Sequence, residues 1–168
     1  MVAALPTTLT GQVLDIGGSD GQLSRMLALQ YPGQDVLSID PSAAKSEHEH
    51  TGPPPPNLRF QTRSFWDVEG TYELVVCAGR WESFQLQASA TRLVELIAPG
   101  GMAIINTLGP GIFGRVRASV SRHVLRTRLH LHRPQTLTRA LEVRGCVIRW
   151  NPVNLLEGSY TMTVRRLP

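Results

Sequence analysis

The sequence predicts an α/β fold: a doubly wound, mostly parallel seven-stranded sheet with a C-terminal antiparallel hairpin, in three α/β/α layers. Short apolar runs rich in β-branched residues alternate with helical patterns from residue 12 to residue 106, as a parallel sheet with crossover helices requires. A glycine-rich turn, GGSDG at 17–21, joins the first such run to the first helical pattern. The last two apolar runs are separated by a loop too short for a parallel crossover, so they pair antiparallel.

Residues 12–16 (QVLDI) read as a buried strand, and Leu23, Met26 and Leu27 then share one face of a helix. Ser19 or Asp20 can cap that helix, and Tyr31-Pro32-Gly33 ends it. The run 36–39 is the second strand, closed by Asp40 and Pro41. Residues 42–57 form a proline-rich loop with a short helix at most, because four consecutive prolines forbid helix and central strand alike. His48 and His50 lie within it in a polar, solvent-facing run, and no metal site is assigned. Residues 58–63 alternate as a third strand, and 73–78 (ELVVCA) form a buried fourth.

From 84 to 97 the apolar positions Leu86, Ala90, Leu93, Val94 and Ile97 keep a helical period until Pro99-Gly100-Gly101 breaks it. Residues 102–106 form the fifth strand. A helix is expected from 112 to about 129, with Val116, Val120 and Val124 on one side and Arg115, Arg122 and Arg126 roughly opposite. Residues 134–145 suit one more helix, with Pro134 in its first turn and Gly145 at its end. Strands at 146–150 and 160–165 complete the sheet.

The chain of 168 residues, 42% hydrophobic, is one domain's length with enough apolar material for one core. No stretch approaches the roughly 18 to 20 apolar residues of a membrane span, and the start lacks a basic targeting region. A soluble, cytoplasmic protein is expected, with Cys77 and Cys146 as buried core thiols. Residues 1–110 carry 6 Lys+Arg against 11 Asp+Glu, and 111–168 carry 11 against 2, so the second half is strongly basic. That half could meet an anionic partner.

A dinucleotide turn wants G-x-G-x-x-G, and counting from Gly17 only one glycine of three falls in place. The segment instead resembles the first motif of class I S-adenosylmethionine-dependent methyltransferases, an acidic residue and then G-x-G-x-G, matched by Asp15, Gly17 and Gly21 with Ser19 departing. The resemblance covers nearly the whole chain and implies the class I methyltransferase fold with S-adenosylmethionine as cofactor. It implies cofactor contacts at Asp15, Gly17, Gly18, Ser19 and Gly21, and a ribose diol held by Asp40. It further implies adenine beside Ser64 and Phe65, with Asp67 as an alternative, and a sulfonium beside Ala78, Gly79 and Arg80. The stretch LIAPGGMAII at 96–105 looks like the family's turn into its fifth strand.

Acceptor signatures are missing. No N-P-P-aromatic follows the fourth strand, no Pro-Cys dipeptide exists, and a lysine-rich tetrad is impossible with one lysine, Lys45. Arg80 and Glu82 are the catalytic candidates, with Glu82 equally readable as a surface residue before a helix. A leader too short for a lid also resembles the N-terminal methyltransferase-like domain of anamorsin, a component of cytosolic iron–sulfur cluster assembly. In that family the first motif is degenerate, whereas here it is nearly intact. The expectations are therefore methyl transfer to an unidentified acceptor or, alternatively, a non-catalytic interaction domain that docks a protein through Arg115, Arg122 and Arg126. Nucleic acid ranks lower for that face, since only Phe113 offers an aromatic platform. The domain spans 1–168, alone or as the N-terminal part of a longer protein.

Overall fold

The computed structural model describes residues 4–18, 20–41, 52–123, 126, 128–151 and 159–168. Its strands are β1 (Val13–Ile16), β2 (Val36–Ile39), β3 (Leu58–Gln61), β4 (Tyr72–Ala78), β5 (Ile97–Leu108), β6 (Cys146–Trp150) and β7 (Ser159–Arg166). The helices are α1 (Gln22–Gln30), α2 (Leu86–Leu96), α3 (Ile112–His123) and α4 (Pro134–Glu142). One sheet runs in the order β3-β2-β1-β4-β5-β7-β6. β1 to β5 are parallel, and β7 pairs antiparallel with both β5 and β6. This is the mixed seven-stranded sheet that the sequence predicts.

Strand order follows from composition. β1 is buried along its whole length, and Leu14 and Val13 point to opposite faces, into two separate cores. The larger core packs Leu14, Val75 and Ile105 under α2 and α4. The smaller packs Val13, Val76 and Ile104 under α1, whose Leu23, Met26 and Leu27 supply its lid as predicted. A central strand with apolar residues on both faces is what helices on both sides of a sheet demand. Asn57 fixes the neighbouring edge: its Nδ2 donates to the carbonyls of Ala28, Tyr31 and Gln34, tying the end of α1 to the approaches of β2 and β3.

Several boundaries differ from expectation. The third strand stops at Gln61, so Arg63 lies beyond the sheet. The fifth begins at Ile97 and takes in the Pro99-Gly100-Gly101 stretch, with a register shift opposite Tyr72 and Leu74. The helix expected to reach Leu129 is described over Ile112–His123, and Arg126 lies outside it with a left-handed φ of 52°. Of the helix's apolar side, Val116 and Val120 are 58% and 51% exposed, while Gly114 and Ser121 are buried. Val124, His48, His50, most of the 42–57 loop and the loop before β7 lie outside the described residues.

Both cysteines are buried free thiols, as expected, and burial raises both pKa values. No described helix is long and apolar enough to cross a membrane.

Candidate functional site

The carboxyl ends of β1, β2 and β4 converge where the connections leave in opposite directions, the place where doubly wound sheets bind ligands. Gly17, with φ 80°, turns the chain out of β1, and its amide donates to the carbonyl of Ile39 at 2.8 Å. The α1 N-cap is Gly21, φ 74°, rather than Ser19 or Asp20; Asp20 instead accepts from the Gln22 amide at 3.2 Å. Ser19 lies outside the described residues.

Beneath this turn sits a buried polar cluster. Ser24 Oγ lies 2.6 Å from Asp15 Oδ2, to which it donates, and 2.9 Å from Ser38 Oγ. Burial lifts the Asp15 pKa from 3.8 to about 6; the Ser24 hydrogen bond opposes the shift, and the charges of Asp20 and Asp40 add to it. A methyl group at Gly18 would collide with Ser38 Oγ and approach Ser24 Oγ to 2.9 Å. Asp15 and Gly18 therefore form the floor under the turn, and their nearest partners are protein groups.

Above the floor is a cavity of about 220 Å³. Gly17, Ser64, Phe65 and Arg80, all anticipated from sequence, line it. So do Ser83 and Phe84, within the stretch 80–84 where the sequence places entry of the acceptor, and Arg63, which it takes for a strand end. Phe65 and Phe84 form an aromatic wall with ring centroids 4.8 Å apart, and Trp66 meets Phe65 edge-on at 5.0 Å. Ser64 accepts from the Trp66 amide and starts the single 3-10 turn Phe65–Asp67. Asp40 ends β2 and forms an ion pair with Arg80, Oδ2 to Nη2 at 3.0 Å. Ala78 and Gly79 end β4, where Gly79 donates to Asn106 at 2.9 Å. Neither they nor Gly21 is part of the cavity wall.

Glu82 is a correction. Far from being a surface residue, it is 1% exposed, in the 3-10 turn Trp81–Ser83, and accepts from Thr107 Oγ1 at 3.1 Å. The segment after α3 is clamped against this turn. The His130 amide donates to the Glu82 carbonyl at 2.6 Å, His132 Nε2 lies 3.2 Å from the Phe84 carbonyl, and Tyr160 donates to the His132 carbonyl at 2.7 Å. Since a carbonyl only accepts, His132 Nε2 carries the proton, leaving Nδ1 as the acceptor. Burial lowers the His132 pKa, with the charge of His130 in the same sense and the Phe84 carbonyl and Glu82 opposing it. The sequence offered no signal for this histidine pair, whose residues sit in no motif and more than forty positions from Glu82.

Comparisons with known proteins show the family and the fold. A family model described as a methyltransferase domain matches residues 2–149. The trans-aconitate 2-methyltransferase of Deinococcus radiodurans is 31% identical over 108 residues, 61% of this chain and 40% of that protein, so the chain spans less than half of that relative. Among solved structures, an S-adenosylmethionine-dependent methyltransferase from Mesorhizobium loti superposes with a TM-score of 0.81 at 15% identity, covering 98% of this chain and 95% of that one. The magnesium protoporphyrin IX methyltransferase of Synechocystis PCC 6803, with bound SAH, gives 0.67 at 18% identity over 92% of this chain and 74% of its own.

Proposed function

The chain belongs to the methyltransferase domain family, and from that premise we propose that it binds S-adenosylmethionine across the ends of β1, β2 and β4 and transfers its methyl group to an acceptor entering beside Ser83 and Phe84. The observation that carries this reading is the placement of Asp40, an acidic acceptor just after β2, beside the glycine turn at Gly17 that the Arg80 stem covers. The residues present fit such a ligand. Asp40, beside the cavity rather than in its wall, would accept from the ribose hydroxyls once Arg80 moves aside, and Phe65 and Phe84, packed on each other, would offer one aromatic wall to the adenine. Bound there, S-adenosylmethionine supplies an electrophilic methyl on a sulfonium.

The chain's own part is alignment and, for an acceptor that must lose a proton, a base. His132 is the candidate for that role, its ring beside the Phe84 carbonyl and its pKa lowered by burial. Glu82, closed off from solvent and bonded by Thr107, holds the turn that presents Ser83 and Phe84. The Deinococcus relative is named for trans-aconitate, a carboxylic acid. The guanidinium of Arg63 at the cavity wall would suit an acceptor of that charge.

Calorimetric titration tests the reading. S-adenosylmethionine or its demethylated product, S-adenosylhomocysteine, should bind with one-to-one stoichiometry, and Asp40→Ala should weaken binding by roughly tenfold or more, the loss expected on removing a charged hydrogen-bond acceptor. Absence of heat and of any thermal shift at millimolar ligand would remove it.

A second reading is a non-catalytic interaction domain of the anamorsin type. What supports it is the α3 surface, where Ile112, Val116 and Val120 lie exposed in one stripe with Arg115 and Arg122 alongside. It expects Arg122→Glu to abolish complex formation with a purified acidic partner while the fold stays intact.

A further inference from the structure

Arg80 crosses the site from the end of β4 to Asp40. It leaves the end of β4, and its stem packs on Gly17 so closely that a methyl group there would collide with Cγ and stand 3.0 Å from Cβ. Its guanidinium finishes 3.0 Å from Asp40 Oδ2. Because β1 lies between β4 and β2, this one side chain traverses the ends of three adjacent strands. That is the line along which a doubly wound sheet lays its ligand. The two partners are unequally placed, Asp40 with 2% of its side chain exposed and Arg80 with 40%. The anion is covered, and the cation that covers it faces water. The cavity left beside them, with Arg80 in its wall, holds about 220 Å³, below the roughly 300 to 1,000 Å³ of ligand pockets.

Resting on the cofactor reading above, we propose that Arg80 is a strap that closes the site, and that a nucleoside ligand enters by taking its place on the Asp40 carboxylate. The exchange needs no chemistry beyond a change of hydrogen-bond partner. Ribose hydroxyls donate to the Asp40 carboxylate in place of the guanidinium that now meets Oδ2, and Arg80 swings into water. The opening is easy for two physical reasons. An ion pair with one well-exposed partner contributes little and is screened by salt. Gly17 has no Cβ to hold the arginine stem in place. Arg80 thus sets both the affinity and the entry rate of the ligand, and departs from the acceptor-side role that its sequence position suggested.

The test compares the wild type with Arg80→Met, which keeps an apolar stem but removes the charge, and Arg80→Ala, which removes both. The probe is S-adenosylhomocysteine, followed by calorimetry and by stopped-flow fluorescence of Trp66, which touches Phe65 of the cavity wall. Both variants should bind tighter by up to roughly fivefold, the range an exposed-partner ion pair can supply. The wild-type observed rate should level off with ligand concentration as opening becomes limiting, whereas that of the variants rises linearly. Added salt should tighten the wild type alone. Ligand binding by the variants and not by the wild type would be the strap in its strongest form. Equal or weaker binding by the variants overturns the strap and leaves the cofactor reading standing. No binding by any of the three overturns both.

Discussion

Asp15 is held from water beneath the glycine turn, with Ser24 donating to Oδ2 and Oδ1 without a partner among the described residues. A buried carboxylate with one donor favours its proton, hence the rise from 3.8 to about 6. A carboxyl whose folded pKa lies above its unfolded one gives most stability when protonated. Its contribution is complete below about pH 4 and is lost as the pH rises through about 6. Asp15→Asn removes that loss: thermal melts should show the variant more stable than the wild type at pH 8, by up to about 3 kcal/mol. The difference should vanish below pH 4, and a destabilised variant at pH 8 would refute this account of the floor. Gly18 is bound to the same cluster. Gly18→Ala drives a methyl group into Ser38 and Ser24 and should cost roughly 1 to 3 kcal/mol by overpacking, read as a lower denaturation midpoint with unchanged slope.

At the scale of elements, α3 and α4 contrast. α4 puts Leu137, Ala140 and Leu141 into the larger core, and Trp150 Nε1 donates to Thr138 Oγ1 on its other flank. α3 buries mainly small residues and turns Ile112, Phe113, Val116 and Val120 to solvent. Leu137→Ala should therefore cost about 2 to 5 kcal/mol and Val116→Ala about 0.5 or less. Equal costs would mean that α3 buries its apolar stripe in solution. The periodicity of 112–129 was legible as a helix, described over Ile112–His123, but not the exposure of its apolar side. Helical spacing marks an apolar face without saying whether the rest of the molecule offers a surface for it. The fourth strand and the α1 face were legible because their burial follows from strand and helix periodicity alone.

For the whole molecule, alternation of strands and helices with a short final loop was enough to predict the seven-stranded sheet and its antiparallel end. The ends of β1 and β2, and with them Gly17 and Asp40, could be placed for the same reason. What could not be read were contacts that cross strands: Arg80 on Asp40, forty residues apart, the burial of Glu82 under Thr107, and His130 and His132 against the β4 turn. These depend on side-chain direction at strand ends, where periodicity stops carrying information. The central claim is that the ends of β1, β2 and β4 form a cofactor site. Amide chemical-shift mapping by NMR during titration of the wild type with S-adenosylhomocysteine tests it most directly. The account predicts saturable shifts concentrated at Gly17, Ile39 to Asp40, Ser64 to Phe65 and Ser83 to Phe84. Shifts confined to α3 and the basic C-terminal half, or none at millimolar ligand, would contradict it.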